Sequence, residues 1–313
     1  MTKHPSTPEQ SYEDLFNPNR RLSKNVELGV KIIFGTFAAI SVVTTIGIVL
    51  TLIFETIEFF KTVPIWRFFT EIEWSPLFAN PKFGIWVLIS ATFLTSMIAI
   101  IVALPLGLLA AICLSEYASN RVRKILKPAL EILAGIPTVV FGYFALLSVT
   151  PFLQKFIPGL QGFNALSAGL ILGVSIIPLV ASLSEDAIYA VPQRLREGAY
   201  ALGATKQETI IGVVLPAALS GIVASFILAV SRALGETMIV AIAAGQNPTF
   251  GLNPFVPVMT MTSYIVQVSL GDTPAGSLAY KTIFAVGMTL FVLTLVLNIF
   301  SFWFVRRFQE KYE

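Results

Sequence analysis

One cysteine, Cys113, stands in the whole chain, inside an apolar run, which excludes an intramolecular disulfide and any thiolate-built metal site. Histidine is equally scarce. His4 is alone in a polar tail, so there is no cluster to hold a metal or form a catalytic triad. No G-x-x-x-x-G-K-S/T run is present, so nucleotide hydrolysis, where it is needed, falls to another chain. Charged side chains make up only 12% of the sequence, against about 25% in soluble domains. What fills the space is 55% hydrophobic residues, with a mean hydropathy of +0.79. Most of this chain must face lipid. Because a membrane-crossing segment has to pair its own backbone, the fold class is all-α and polytopic.

Taken in order, residues 1–29 are polar and hold several prolines. They are too polar for a signal peptide and read as an uncleaved, mobile tail. The first span is 30–54, long enough to cross about 30 Å of hydrocarbon. Residues 55–82 follow, with Trp66, Trp74 and several phenylalanines among acidic residues. Such aromatics favour the lipid–water boundary, so an external hairpin grazing the surface is expected, and 30–83 forms a unit of span and loop. The second span is 83–114, kinked at Pro105. The third follows a basic turn at Arg121, Arg123, Lys124 and Lys127, breaks at Gly135-Ile136-Pro137 and ends near Pro151. The fourth is 166–183, broken at Pro178, and the fifth is 219–243. A long loop carrying Asn247-Pro248 and Asn253-Pro254 then leads to the sixth, 282–305, and a short basic tail, 306–313. Pro137 and Pro178 are the hinge candidates, since broken helix is tolerated at membrane depth where it lines a cavity.

The basic residues test this six-helix topology. Fifteen of the 21 Lys and Arg fall on the side of the N-terminus, five on the opposite side, and Arg232 remains within a span. The excess of about three to one places both termini, and the segment 185–216, in the cytoplasm.

That segment is the longest polar interruption in the apolar half of the chain. Pro192 suits a first helical turn, and Leu195, Ala199 and Leu202 recur at helical spacing. Gly203 suits a left-handed helix end. Thr205-Lys206-Gln207-Glu208 reads as a capping box opening a second apolar helix, which Pro216 is expected to interrupt. The result is a compact two-helix knob. A DNA-reading helix-turn-helix has the same outline, but this segment is poor in basic residues and tethered to lipid at both ends, so no nucleic acid is expected.

Within the knob, Glu197-Gly198-Ala199, three residues, Gly203, nine residues, Val213, one residue and Leu215-Pro216 resemble the EAA motif of permease subunits in bacterial ABC importers. Gly198 replaces an alanine of the usual motif and Val213 an isoleucine. The resemblance implies a type I ABC importer permease fold, with the knob docking into a groove of a separate ATPase subunit. ATP and magnesium would be used by that partner. This chain would bind no cofactor or metal and supply no catalytic residue.

The second signal is Ser231-Arg232-Ala233-Leu234-Gly235-Glu236-Thr237-Met238. Arg232 and Glu236, four apart, are expected to share a helix face and pair, because each charge costs about 2.5–3.5 kcal/mol near the bilayer centre. Such a pair either braces neighbouring helices or lines a pathway. For the second role, guanidinium offers paired donors in one plane, matched to a tetrahedral oxyanion, and Gly235 leaves room for an anion or a backbone.

SRALGETMIV, together with ILAGIPTVVFGYFAL at 132–146 and the stretch 253–264, resembles the PstC-type permease family of phosphate-specific ABC importers over most of 84–305. The resemblance implies a phosphate pathway at Arg232, Glu236, Ser231 and Gly235. It implies a heterodimer with a paralogous, PstA-like permease, a PstB-like ATPase dimer and a periplasmic PstS-like phosphate-binding protein, assembled in the bacterial inner membrane. The PstA-type role, or another oxyanion (sulfate, molybdate, phosphonate), stays open as an alternative. An ion-coupled carrier would not need the knob, and an intramembrane enzyme would need a reactive set beyond Arg232 and Glu236.

Overall fold

The computed structural model describes residues 20–308; the expectations for residues 1–19 and 309–313 lie outside them. The chain divides into two units, one ending at Phe54 and one beginning at Glu55. The first unit holds most of helix α1, Arg20–Thr62. The backbone is already helical at Arg20, so the expected tail is helix over 20–29, and α1 continues beyond 54 to Thr62. Its apolar side chains, Ile33, Phe34 and Phe37 among them, are exposed, as suits a helix solvated by lipid.

In the second unit the segment after α1 is an aromatic core, not the surface-grazing hairpin expected. A short helix α2, Ile65–Thr70, follows Pro64, and Trp74 bridges to Phe83. Phe59 meets Phe68 and Phe83 edge-on at 5.9 and 5.6 Å, and Trp74 meets Tyr264 at 5.0 Å. All five rings are buried. Glu71 closes the turn by accepting from Arg67 Nε at 2.7 Å and from the Phe83 amide at 2.6 Å. Trp66, Phe69 and Phe78 keep the exposed position expected of such aromatics.

The scaffold is built on α3, Trp86–Tyr117, and α6, Ala165–Tyr189, which pack along each other. Without a hydrophobic drive between lipid-solvated helices, close approach of small residues does the work. A Cβ built on Gly173 would lie 2.8 Å from the Ala99 carbonyl oxygen. Pro178 does not break α6, contrary to expectation. This is the most enclosed of the spans, and neighbours on both sides hold the helix together where its missing amide would otherwise weaken it.

Between them, α4, Asn120–Ala134, and α5, Thr138–Gln154, meet at an 85° bend. It falls at Gly135-Ile136-Pro137 as expected, because proline disfavours helical backbone in the residue before it. Next come α7, Gln193–Ala201, α8, Lys206–Gly235, α9, Met238–Ala243, α10, Met261–Leu270, and α11, Leu278–Phe308. Among the described residues five helices are long and apolar enough to cross a membrane, and six crossings result when the bent pair counts as one.

Two boundaries differ from expectation at this end. Pro216 does not interrupt the second knob helix; α8 runs through it, so knob and span are one rod. A π turn over Ile210–Val214 makes this possible, with the Leu215 amide reaching back to the Ile210 carbonyl. Widening the helix before a proline relieves the clash of its ring with the preceding turn. The same device, Ala145–Val149, precedes Pro151. At the other end α8 stops at Gly235 rather than 243, and the expected loop after it contains α10, opened by a Thr260–Ser263 capping box.

Candidate functional site

The knob forms as its sequence dictates. Pro192 caps α7, Gly203 takes φ +84° just past its end, and Thr205 starts α8. The Thr205 hydroxyl accepts from the Glu208 amide at 3.3 Å, while the Glu208 carboxylate accepts from the Thr205 amide at 2.8 Å. Glu197, Gly198, Gly203 and Pro216 are exposed, Ala199 and Leu215 half-buried. Leu202, at the elbow, is 91% exposed.

Beneath the knob lies an ionic base that sequence reasoning missed. Arg196 donates to the carbonyls of Val191 and Ile188 at 2.5 and 2.8 Å and to the Glu116 carboxylate at 3.0 Å. Lys206 donates to the Glu116 carbonyl and lies 4.6 Å over the Tyr117 ring. Glu185, 1% exposed, is paired with both Arg123 and Lys127, and Lys127 also reaches Asp186 at 2.6 Å. Partners 58 to 90 residues apart leave no periodic trace. A buried carboxylate demands cationic partners, so the one usable signal was Glu185 at the end of an apolar span. The knob is thereby bolted to α3 and α4.

In the intramembrane stretch, Arg232 and Glu236 do not pair as expected. The helix ends at Gly235, which takes Glu236 out of helical register with φ −67° and ψ 133°. Its carboxylate instead accepts from the amides of Met238 and Ile239 at 3.1 and 3.3 Å, at the opening of α9. Free amides at a helix start are good partners for a carboxylate. Its carbonyl accepts from Thr262 Oγ1 at 2.7 Å. Ser231 donates to Asn298 of α11 at 2.8 Å. Gly235 borders open space, with no atom within 4 Å of a built Cβ. Arg232, half-buried in the last turn of α8, has no hydrogen-bond or ion-pair partner among the described residues. None of these residues gathers into a metal cluster among those described.

A bolted two-helix knob on a polytopic all-α scaffold, with a cation held inside a span, defines a transport permease. Residues 103–312 match the family described as binding-protein-dependent transport system inner membrane component, and the chain belongs to that family. It is a multi-pass protein of the inner membrane.

Among its relatives, the probable ABC transporter permease protein YqgH of Bacillus subtilis is 35% identical over 228 residues, 73% of this chain and 74% of that one. The phosphate transport system permease protein PstC of Mesorhizobium japonicum is 33% identical over 263 residues, 78% and 79% of the two chains. PstC of Haemophilus influenzae is 32% identical over 262 residues, 78% and 82%. The fold also matches the bacterial alginate ABC transporter solved with its alginate-bound periplasmic protein (TM-score 0.63, 17% identity, 94% of this chain and all of that one). It matches the inward-facing MetNI methionine transporter as well (TM-score 0.52, 20% identity, 72% and 95%). The architecture is that of type I ABC importer permeases.

Proposed function

We propose that this chain is the PstC-type subunit of an ATP-driven importer and carries inorganic phosphate across the bacterial inner membrane. The observation that supports it most is Arg232: a half-buried guanidinium in a span, without a partner among the described residues, next to the open space at Gly235. A cation kept there at cost is matched to an anionic cargo. The permease performs no covalent chemistry. ATP and magnesium act in a separate PstB-like ATPase dimer, whose closure moves the knob carrying Glu197, Gly198, Ala199 and Gly203. A PstA-like permease completes the pathway, and a PstS-like protein delivers phosphate from the outer side. The distribution of basic residues supports a cytoplasmic position for both termini in this reading. Pro137, at the 85° bend, is the pivot in this mechanism; the break expected at Pro178 is absent from α6.

Arg232→Gln, in complexes that assemble normally, is expected to abolish uptake of radiolabelled phosphate. Undiminished uptake sinks the pathway role and leaves Arg232 a structural residue. Excess sulfate, molybdate or phosphonate is expected to leave uptake unchanged, and competition by any of them reassigns the cargo.

A further inference from the structure

α4 is bound to the protein by its charged side. Arg123 and Lys127 pair with Glu185, Lys127 reaches Asp186, and Arg123 lies 4.1 Å over the Tyr189 ring. The opposite side is apolar and uncovered: Val122, Ile125, Leu126 and Leu133 recur at three- and four-residue spacing, and Ile125 is 71% exposed. None of the residues 121–134 of α4 is buried. In water this amphipathic helix would be inside out, so something must cover its outer face.

We propose that α4 lies in the cytoplasmic interface of the bilayer, its apolar face in the acyl region and its free cations on anionic phospholipid headgroups. Two independent features select lipid over a protein partner. Arg121 and Lys124 flank the apolar face, are exposed, and have no hydrogen-bond or ion-pair partner among the described residues. They are therefore available to lipid phosphates. The direction of the chain agrees. α5 alone is about 25 Å long at 1.5 Å per residue, close to the hydrocarbon thickness of about 30 Å. α4 turns 85° from it, and a helix at right angles to a span lies along the membrane surface. Five charges, at Arg121, Arg123, Lys124, Lys127 and Glu131, keep α4 from entering the hydrocarbon. Since α4 also holds Glu185 at the root of the knob, the inner leaflet becomes part of the mounting of the coupling loop.

The test uses the full chain, in its purified complex, in vesicles of phosphatidylcholine and phosphatidylglycerol at about 3:1. Nitroxide labels are introduced by Ile125→Cys and Leu133→Cys with Cys113→Ser, and a third by Lys124→Cys. At the first two, collision with dissolved oxygen is expected to exceed collision with an aqueous nickel chelate; at the third the order is expected to reverse. Access of the chelate to the first two overturns the proposal, and so does shielding from both reagents, which would mean that another protein covers the face. In parallel, spin-labelled phosphatidylglycerol is expected to associate more tightly than the phosphatidylcholine analogue, by up to about fivefold per cation. Arg121→Gln with Lys124→Gln is expected to bring that ratio to about one. A ratio unchanged by the double variant removes the headgroup contact. Neither readout needs phosphate or ATP, so failure here leaves the transport reading intact.

Discussion

Arg196 of the first knob helix and Glu116 at the end of α3 form an ion pair at 3.0 Å, with side chains only 11% and 9% exposed. The guanidinium also takes two backbone carbonyls, of Ile188 and Val191, so one side chain joins the knob, the C-terminal end of α6 and the neighbouring span. In the proposed mechanism a rigid knob would convert motion of a bound ATPase into motion of the spans, and one on a loose base would dissipate it. Removing one member of such a pair leaves the other charge stranded, which costs about 3–5 kcal/mol in buried settings. Glu116→Ala is therefore expected to lower the melting temperature of the complex and uncouple ATP hydrolysis from uptake. Arg196→Lys is not expected to rescue the site, because an ammonium cannot reach three acceptors in one plane. Calorimetry beside paired ATPase and uptake assays checks both.

Two glycines of the EAA-like stretch are predicted to respond with opposite signs. Neither would bring a new Cβ within 4 Å of another group, so only backbone preference decides. Gly198 is inside α7, where alanine is favoured by about 1 kcal/mol; Gly198→Ala restores the usual motif residue and is expected to be neutral or stabilising. Gly203 has φ +84°, where an L-residue costs about 1–2 kcal/mol. Gly203→Ala is expected to loosen the elbow. Amide hydrogen exchange over 193–208 separates the two: protection held or raised in the first variant, lowered in the second.

A methyl group can be moved across the interface of α6 and α8. A Cβ on Gly221 would sit 2.5 Å from the Ala187 Cβ, with no backbone atom of the neighbour closer than 3.6 Å. Gly221→Ala alone is expected to cost about 1–3 kcal/mol by overpacking. Combining it with Ala187→Gly returns the interface to one methyl and is expected to recover most of the melting temperature. At Gly173 the obstacle is the Ala99 carbonyl itself, 2.8 Å away, and no side-chain change opposite is expected to rescue Gly173→Ala.

What the sequence made readable, and what it did not, follows the range of the interactions involved. The knob was legible almost residue by residue, because proline, glycine and a capping box act on neighbours three or four positions away. The break at Pro137 was legible for the same reason. Pro178 and Pro216 were misjudged because their effect depends on what surrounds them, neighbouring helices for the one and a π turn for the other. The pairing of Arg232 with Glu236 was a sound inference from helical spacing that failed on a single fact, the helix end at Gly235. The ionic base around Glu116 and Glu185, and the aromatic core joining Trp74 to Tyr264, depend on residues far apart in sequence, which only the fold brings together.

Glu236 offers the sharpest separation of charge from structure. Its carboxylate holds the amides of Met238 and Ile239 through one oxygen, Oε1, a task the carbonyl oxygen of glutamine can also perform. If capping is its role, Glu236→Gln is expected to assemble and keep most uptake, while Glu236→Ala, which leaves those amides unpaired, loses about 0.5–2 kcal/mol along with the set of α9. If instead the negative charge works with Arg232 when phosphate passes, Glu236→Gln will assemble as well as the parent and still lose transport. The geometry favours the first outcome, since the carboxylate is already engaged and the guanidinium four residues before it is free of it. Melting temperature and radiolabelled phosphate uptake, measured on the same preparations, decide between them: loss of both in the glutamine variant contradicts the capping role, and loss of uptake alone moves Glu236 into the pathway.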